Sequence, residues 1–272
     1  MLNQVQHDKD RFMIRFIHLS DTHIGSSKDF TLQGVRTYES FQKIIAAIQS
    51  LPFQPDFIIH TGDIAADPDE KSYELFNTMI QDITVPMYYV TGNHDESAMV
   101  KNLLRMGEKE DLMDEKVVYR FETNGHGCLV LDGRGAREID PHGTISDEQF
   151  AAIEQELSSA SSPISIFIHF PLLSMDCPWI DRDMLLFEGD RLHSLFSAHR
   201  EHIRGVFFGH VHRGTSVVKD GVRYISVAST CLQFGLLPNQ EAPSFENHRR
   251  GYFNVVTIDD GKMVVREQSV GI

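Results

Sequence analysis

Five short stretches of this sequence each join an apolar run to residue types that bind metal ions or phosphate. The most compact is Gly92-Asn93-His94-Asp95, directly after the apolar run 86–90. Read as a strand and a turn, it places Asn93 and His94 at the carboxyl end of a buried strand, where open α/β sheets place their binding and catalytic residues. Asn93 offers a neutral amide oxygen to a hard cation, and His94 titrates near neutral pH.

The other four stretches repeat this arrangement of a strand followed by polar residues. Asp21 and His23 follow the run 13–19, Asp63 follows 56–60, His169 follows 164–168, and His210 and His212 follow 206–208. In extended chain the side chains of residues i and i+2 point the same way, so each Asp-x-His or His-x-His pair can reach one point. Two Asp, one Asn and four His exceed the needs of one tetrahedral ion and suit two ions that share a bridging carboxylate.

This ligand set predicts a particular chemistry. Mixed oxygen and nitrogen ligands favour Mn, Fe, Zn or Co over Mg or Ca. Two such ions about 3.5–4 Å apart form a clamp for in-line displacement at phosphorus, and a water between them loses a proton near neutral pH and becomes the nucleophile. The sequence has neither a G-x-S-x-G nor a Walker P-loop, so we expect metal-assisted hydrolysis of a phosphoester.

The elements that must position these residues follow from hydrophobic periodicity. We predict helices over 35–51, 69–83, 97–106, 147–158 and 189–199, strands over 13–19, 56–60, 86–90, 117–121, 128–131, 164–168, 206–208, 252–258 and 263–268, and a hairpin over 215–227. Ser146 and Gln149 form a capping box at the start of the fourth helix. Residues 172–188 have no clean period and are interpreted as a surface loop.

The order of these elements predicts the fold class. The first half alternates strands and helices and the second half is rich in strands, which indicates an α/β (α+β) fold: a four-layer α/β/β/α sandwich of two mixed sheets packed face to face and flanked by helices. No linker or repeat divides the chain. We therefore expect one domain over 13–272, with residues 1–12 as a frayed N-terminal tail.

Composition limits the partners. Of 272 residues, 39 are Asp or Glu and 25 are Lys or Arg, and a net charge of −14 argues against nucleic-acid polymers and anionic membranes. The 3 cysteines are far apart in the sequence, which favours a reduced, cytoplasmic protein over a disulfide framework. No signal peptide or membrane-spanning run is visible. The oligomeric state stays open, with the apolar loop over 171–188 as a candidate for packing across a homodimer.

The ordered motifs resemble those of one large family. Asp21-x-His23, Gly62-Asp63, Gly92-Asn93-His94-Asp95, His169 and Gly209-His210-x-His212 look like the calcineurin-like metallophosphoesterase superfamily. The resemblance implies that Asp21, His23 and His212 bind one ion, that Asn93, His169 and His210 bind the other, and that Asp63 bridges both. It also implies that His94 is catalytic, contacting the phosphate and assisting the leaving oxygen, and that Asp95 supports the ligands from outside the metal shell.

Segments of the second half resemble a subfamily, the class III cyclic-nucleotide phosphodiesterases. Pro178 to Asp181 resembles their W-L-D segment, Ala228 to Phe234 resembles P-S-T-C-x-Q-F, and Gly251-Tyr252 resembles a later P-G-Y. This implies a small phosphodiester substrate, with a 3′,5′-cyclic nucleotide first. Protein Ser/Thr phosphatases and break-repair nucleases fit less well, because the Arg of the first group and the extra His of the second are missing.

Other readings of the same residues stay open. Phe170 stands where that subfamily has further His residues, so a glycerophosphodiesterase or phosphomonoesterase of the same superfamily remains an alternative. A monoester needs extra cations, for which Arg182, Arg213, Arg249 and Arg250 are the candidates. A non-catalytic scaffold on the same fold is the third hypothesis. Trp179 is read either as an aromatic wall for a base, and thus a substrate contact beside Asn93 and His94, or as loop packing.

The remaining histidines match no ligand motif. His18 and His60 lie inside predicted strands and are expected in the core. A surface position is expected for His7, His126, His142, His193, His199, His202 and His248. Cys231 is interpreted as a small buried residue rather than a nucleophile.

Overall fold

A computed structural model describes residues 13–246, 249–259 and 261–272. The expected tail, which includes His7, lies outside this range, as do His248 and Asp260, the latter between the last two predicted strands. The strands are β1 Met13–Leu19, β2 Thr31–Leu32, β3 Val35–Arg36, β4 Phe57–His60, β5 Met87–Tyr89, β6 Glu110–Asp111, β7 Tyr119–Thr123, β8 His126–Val130, β9 Ile164–Phe167, β10 Ile203–Phe208, β11 Ser216–Lys219, β12 Val222–Ser226, β13 Arg250–Asp259 and β14 Lys262–Gly271. The helices are α1 Thr37–Gln49, α2 Glu70–Ile80, α3 Ser97–Leu103, α4 Asp147–Ser159, α5 Pro178–Asp183 and α6 Gly189–Ala198.

Two mixed sheets organise these strands. One has the order β14-β13-β1-β4-β5 and the other has the order β11-β12-β10-β9-β8-β7-β6. The strands that precede the predicted ligands run parallel within each sheet: β1 with β4, β4 with β5, and β9 with β10. Their carboxyl ends therefore meet at one edge, which is where a parallel arrangement places its polar loops.

Aromatic side chains pack the two sheets against each other. Phe16 of β1 meets the rings of Phe167 and Phe207 edge-on at centroid distances of 5.8 and 5.3 Å. Edge-to-face pairs of this kind contribute about 0.5–1.5 kcal/mol beyond the area they bury. Helices α1 and α2 pack on the outer side of the first sheet, and α4 and α6 pack with the second. The predicted four-layer fold class is confirmed.

Local signals set the helix starts as predicted. The Ser146 side chain accepts a hydrogen bond from the Gln149 backbone N–H, and the Gln149 side chain accepts one from the Ser146 N–H, which completes the capping box. Asp69 caps α2 by accepting from the Ser72 N–H. The predicted first helix begins at Thr37 rather than at 35 because Val35 and Arg36 pair with β2 in a small hairpin.

The segment 172–188 differs from the predicted surface loop. It contains α5, which begins with Pro178 in the first turn, where a missing N–H costs nothing. The Asp181 carboxylate fixes the preceding turn by accepting from the Met175 N–H at 2.7 Å. Most apolar side chains of this segment are buried, and Phe187 alone among its large apolar residues is prominently exposed, at 58%. The expected exposed apolar loop was therefore wrong, whereas packing of this segment across a homodimer stays a prediction.

Two histidines expected at the surface are buried. His126 contacts the Ser165 hydroxyl at 2.9 Å, and His193 lies between the Tyr224 hydroxyl at 2.7 Å and Asp220 at 2.9 Å. These polar partners lie far away in sequence, so no local pattern could reveal them. The prediction that His18 and His60 are core residues is confirmed. Within the described ranges, no helix has the length and apolar character needed to cross a membrane.

Candidate metal centre

The loops that follow the strands have an unusual backbone. Asp21, His23, Asp63, His210 and His212 are five of the ten described non-glycine residues with positive φ, with angles of 55°, 44°, 55°, 67° and 49°. The expectation of an extended chain in which i and i+2 point the same way was wrong, because β1 ends at Leu19 and β10 at Phe208. The paired side chains converge because both members of each pair adopt the left-handed conformation. Such residues cost about 1–3 kcal/mol each and cluster at functional sites.

The side chains form two buried groups that share one carboxylate. In the first group, His23 Nε2 lies 3.1 Å from His212 Nε2, and His212 Nε2 lies 3.5 Å from Asp21 Oδ1. In the second, His169 Nε2 lies 3.0 Å from His210 Nδ1 and 3.3 Å from Asn93 Oδ1.

Asp63 stands between the two groups. Its Oδ2 is 3.7 Å from His23 Nε2 and 3.4 Å from His169 Nε2. Four Asp and His residues of the first group, and three of the second, place one ligand atom each within 4.8 Å of one another. All seven predicted ligands therefore come together, and the carboxylate predicted to bridge lies between the groups.

Backbone carbonyls orient the imidazole rings. The carbonyl of Thr61 lies 2.7 Å from His169 Nδ1, and that of Leu232 lies 2.8 Å from His212 Nδ1. A carbonyl only accepts, so each Nδ1 carries a hydrogen and each Nε2 is the nitrogen directed at the group, as in metal-ligating histidines. Two ring nitrogens at about 3 Å suit a cation between them. The residues present thus fit a pair of metal ions.

Asp95 ties the Asp63 loop to the His94 loop. Its buried carboxylate accepts from the backbone N–H groups of Gly92 at 3.0 Å and of Ile64 and Ala65 at 3.2 Å, and from the Tyr73 hydroxyl at 2.9 Å. Burial raises the pKa of Asp95, and the three N–H donors act against that rise. The loops also approach so closely that a Cβ at Gly92 would collide with the Asp63 carboxylate. These contacts hold the site before any ligand arrives.

Electrostatics keep most of the rings neutral. Burial lowers the pKa of His23 and His210 well below the usual value and that of His212 to about 4. Burial acts against the charge of Asp63, but His169 and His94 hold the pKa of this carboxyl well below its usual range. Burial likewise opposes protonation of His169, yet Asp63 outweighs it and raises the pKa of that ring. A cation would therefore replace the proton that His169 shares with Asp63.

His94 lies beside the first group without joining it. Its ring meets the His23 ring edge-on at 4.8 Å, and its Nδ1 lies 2.8 Å from the Ala66 carbonyl. Its backbone N–H donates to Asp63 Oδ1 at 2.9 Å. The carbonyl again requires a hydrogen on Nδ1, which leaves Nε2 for a substrate. The Asp63 carboxylate raises the pKa of His94, although burial lowers it.

The two groups lie at the base of a cavity of about 480 Å³. Among the described residues, and apart from the site residues, two polar side chains and eight apolar or aromatic ones form its wall: Leu32, Gln33, Pro141, Trp179, Asp183, Met184, Leu232, Phe234, Pro243 and Phe245. Phe234 stacks face to face on His212 at 4.2 Å and meets Trp179 and Phe245 edge-on at 5.4 and 5.7 Å. Trp179 lines the cavity although it is only 4% exposed. Its packing within the protein is confirmed, and its contact with a base stays a prediction.

Sequence reasoning missed part of this wall. Phe234 ends the segment that resembles P-S-T-C-x-Q-F, and its aromatic character was the available signal. A second omission is Leu131-Asp132-Gly133-Arg134, which follows β8 in the same strand-then-polar order as the five predicted stretches. The Asp132 carboxylate accepts from the Ser97 hydroxyl at 2.6 Å and from the Val117 N–H at 2.8 Å, which links three segments near the site.

Comparisons with known proteins agree with this geometry. The family model described as calcineurin-like phosphoesterase matches residues 14–214, a range that contains all five motifs. The chain belongs to this family. It is 30% identical over 223 residues to the 3′,5′-cyclic adenosine monophosphate phosphodiesterase CpdA of Escherichia coli strain K12, covering 81% of this chain and 78% of that protein.

The chain is also similar to a second curated protein and to a solved structure. The probable glycerophosphodiester phosphodiesterase GpdQ of Arcobacter nitrofigilis is 28% identical over 229 residues, covering 81% of this chain and 80% of that protein. Among solved structures, GAP50, described as the anchor in the inner membrane complex of Plasmodium, matches with a TM-score of 0.56 at 13% identity, covering 96% of this chain and 89% of that one. This last likeness shows the fold alone.

Family membership confirms the expected resemblance and the expected enzyme class, a hydrolase of phosphoesters. The family and the buried Asp and His groups together support divalent metal ions as cofactors.

Proposed function

We propose that this protein is a dinuclear-metal phosphodiesterase that hydrolyses a small phosphodiester, with a 3′,5′-cyclic nucleotide as the leading substrate. The observation that carries the proposal is the pair of buried ligand groups sharing Asp63 at the base of a mostly apolar cavity. Such a pocket, with few polar groups beyond the reacting centre, suits a small organic ligand.

The ligand roles proposed are those implied by the family. Asp21, His23 and His212 would hold one ion, Asn93, His169 and His210 would hold the other, and Asp63 would be shared by both. Support comes from the close approach of ring nitrogens within each group and from the carbonyls that fix the rings. The mixed oxygen and nitrogen donors favour Mn, Fe or Zn, and elemental analysis of protein purified without added metal would distinguish them.

Bound at this site, two cations supply an acidified water and neutralise charge on the phosphoryl oxygens. The protein's own contribution lies in His94. Its Nδ1–H is held by the Ala66 carbonyl and the residue lines the cavity, so a ring protonated on both nitrogens can give the Nε2 proton to the departing oxygen. The Asp63 carboxylate, which raises the pKa of His94, favours this protonated form. General acid assistance of this kind typically contributes about 10²–10⁴ in rate. Asn93, on the same loop, would contact the substrate together with its ion.

The cavity walls favour a diester over a monoester. A phosphodiester has one negative charge, whereas a monoester has nearly two near neutral pH. No lysine or arginine of the described chain lines this cavity. Of the four arginines considered for a monoester, Arg213 pairs with Glu246 and Arg250 donates to Ser269. Arg182 is neutralised by Asp183, which itself lines the cavity, and Arg249 lines a neighbouring cavity that shares Gln33, Leu232 and Phe245 with this one.

The aromatic wall favours a nucleoside over glycerol. Phe234, Phe245 and Trp179 give flat apolar surface next to the ligand groups, and base–aromatic stacking contributes about 1–3 kcal/mol per base. Glycerol has no group that would use this surface. Relatives named for both activities are known in the family, so a glycerophosphodiesterase is the second candidate.

The test is a comparison of four substrates after metal removal and readdition of Mn²⁺. We expect turnover of 3′,5′-cyclic AMP and bis(p-nitrophenyl) phosphate, and kcat/KM values at least about tenfold lower for glycerophosphoethanolamine and p-nitrophenyl phosphate, since each tenfold is 1.4 kcal/mol of recognition. Faster glycerophosphoethanolamine cleavage would select the second candidate. An absence of bound metal and of metal-stimulated hydrolysis would instead revive the scaffold hypothesis. His94→Asn is the matched variant that should retain metal and lose turnover of 3′,5′-cyclic AMP.

We also propose a cytoplasmic location. The support is chemical: Cys128, Cys177 and Cys231 are free and buried, as in proteins from reducing compartments. Fractionation of native cells with detection of the protein by antibody would test it.

A further inference from the structure

Arg134 is a buried arginine that reaches two segments at the edge of the cavity. Its side chain is 4% exposed, and it lies outside the set of side chains that line the cavity. Its Nε donates to the Asp95 carbonyl at 3.1 Å, and one terminal nitrogen donates to Asp140 Oδ1 at 2.5 Å. The other terminal nitrogen lies 3.8 Å from Glu96 Oε1.

Both segments that Arg134 contacts belong to the site. Asp95 and Glu96 directly follow His94, and Asp140 directly precedes Pro141, which forms part of the cavity wall. The base of Arg134 is itself fixed, because its backbone N–H donates to Asp132 Oδ1 at 2.9 Å. A planar guanidinium with several donors is suited to join two such segments at fixed distance.

We propose that Arg134 is a positioning residue that holds the His94 loop against the Asp140–Pro141 edge, and so places His94 for proton transfer to the leaving oxygen. This inference rests on the proposed phosphodiesterase function. The hydrogen bonds that the described structure gives His94 itself come from the Asp63–Ala66 loop: its backbone N–H donates to Asp63 and its Nδ1 lies beside the Ala66 carbonyl. Arg134, which follows β8 of the second sheet, adds a hydrogen bond to the His94 loop at the Asp95 carbonyl. A shift of about 1 Å in such a group can lower the rate about 10²-fold.

The chemistry of the leaving group makes this role measurable. When a 3′,5′-cyclic nucleotide is hydrolysed, the bond from phosphorus to the 3′-oxygen breaks as the water oxygen bonds to phosphorus. His94 gives a proton to the 3′-oxygen, and the water gives up one that restores His94. A nitrophenolate leaves as a stable anion and needs no proton. A residue that acts through His94 should therefore matter for alkyl esters and much less for nitrophenyl esters.

The experiment compares Arg134→Gln with the wild-type protein on two substrates, an alkyl diester and bis(p-nitrophenyl) phosphate. The alkyl diester is 3′,5′-cyclic AMP, or glycerophosphoethanolamine if the wild-type protein cleaves that instead. We expect kcat/KM on the alkyl diester to fall about 30–100-fold and on the nitrophenyl diester less than about threefold, with metal content unchanged. Arg120→Gln is the matched control: Arg120 also pairs with two carboxylates, but far from the cavity, and both rates should stay at the wild-type level.

A double-mutant cycle adds a readout that simple destabilisation would not move. In a His94→Asn background, Arg134→Gln should lower the alkyl-diester rate less than about threefold, because the group it positions is already gone. If Arg134→Gln fails to fold, Asp140→Asn carries the test, with a smaller loss of the same substrate pattern. Equal losses on both substrates, or a full additional loss without His94, would overturn the inference. A wild-type protein that cleaves no diester with Mn²⁺ would overturn the proposed function itself.

Discussion

The two ends of the central strands differ in how deeply their polar side chains are buried. At the carboxyl ends, Asp21, Asp63 and His169 are at most 2% exposed and are held by backbone groups from several loops. At the amino ends of β5, β8 and β9 lies a larger cavity, about 980 Å³ against about 480 Å³. There the charged groups are largely exposed, as in the pair of Arg120 with Glu110 at 2.7 Å.

The comparison teaches that cavity size does not mark the reactive end of this fold. An exposed ion pair contributes about 0–1 kcal/mol and can form wherever two long side chains meet. A buried group of carboxylates and histidines is costly to keep and persists where a bound ion or function compensates for it. The smaller cavity is thus the one with chemistry.

Asp63→Ala should have the largest effect, because it removes the carboxylate shared by both ligand groups. We expect turnover to fall at least about 10³-fold, or about 4 kcal/mol of barrier, with loss of bound metal. Assay of bis(p-nitrophenyl) phosphate hydrolysis and elemental analysis measure both. Asp176→Ala is the control, since Asp176 is exposed and has nearly the same backbone, with φ of 56° against 55°. Wild-type turnover in Asp63→Ala would refute the shared-carboxylate mechanism.

Asp95→Asn should weaken the site and the fold together. Either orientation of the new amide turns an NH₂ group toward two of the four donors now bound by the carboxylate. Unsatisfied buried donors cost about 1–3 kcal/mol each, so we expect a loss of about 2–4 kcal/mol of unfolding free energy. The denaturant midpoint and kcat measure the two effects. A variant as stable as the wild type would show that Asp95 does not hold the loops.

His126→Asn, at the amino ends of the strands, should reduce the pH dependence of the unfolding free energy without affecting activity. Burial lowers the pKa of His126 to about 4, against about 6.5 in the unfolded chain. The unfolded state therefore binds an extra proton below pH 6.5, and stability falls as the pH drops from 6.5 towards 4. Between pH 7 and pH 5 the metal-free wild type should lose about 2 kcal/mol more than the variant.

Urea denaturation at the two pH values measures this difference. His18 and His60, whose pKa values burial lowers to about 3, keep contributing in both proteins, so the variant should still show a reduced pH dependence. Parallel curves for the two proteins would mean that His126 is not buried in the neutral form. Hydrolysis of bis(p-nitrophenyl) phosphate at pH 7 should be the same in both.

Arg120→Gln should have the smallest effect. Its side chain is 45% exposed, and its pairs with Glu110 and Glu156 are screened by solvent. We expect less than about 1 kcal/mol of lost stability and unchanged turnover. Guanidinium denaturation and the same hydrolysis assay measure this. A loss of turnover would mean that the amino-end cavity takes part in the chemistry after all, and the contrast between the two ends would fail.

Strong local signals made much of the fold predictable. β1, β4 and β9 are short apolar runs, and α4 begins at a capping box, so each could be assigned from neighbouring residues alone. Helix α5 could not, because six residues around Trp179 hold their place through long-range contacts such as the Trp179 N–H to the Gln240 carbonyl at 3.2 Å. The buried state of His193 depends likewise on Tyr224, 31 positions away.

The candidate site was likewise predictable in part. The ligand types and their order were readable, since each directly follows a strand. The way they converge was not: Asp21 and His23 meet the same point through left-handed backbone rather than through strand alternation. The cavity wall was read only in part, because Phe234 and Pro141 come from distant segments that approach one another only in the folded chain.

The left-handed backbone of the ligand loops bears on attempts to make this protein resist heat. Glycine tolerates positive φ without strain, so an engineer who ranks positions by backbone strain would choose Asp21, His23, Asp63, His210 and His212 first. Each exchange should relax the chain, and five of them would release an amount comparable with the 5–15 kcal/mol that keeps a typical domain folded. The result would be a sturdier protein with no chemistry. Improvement has to be sought at turns such as Asn239, where the same strain serves no ligand.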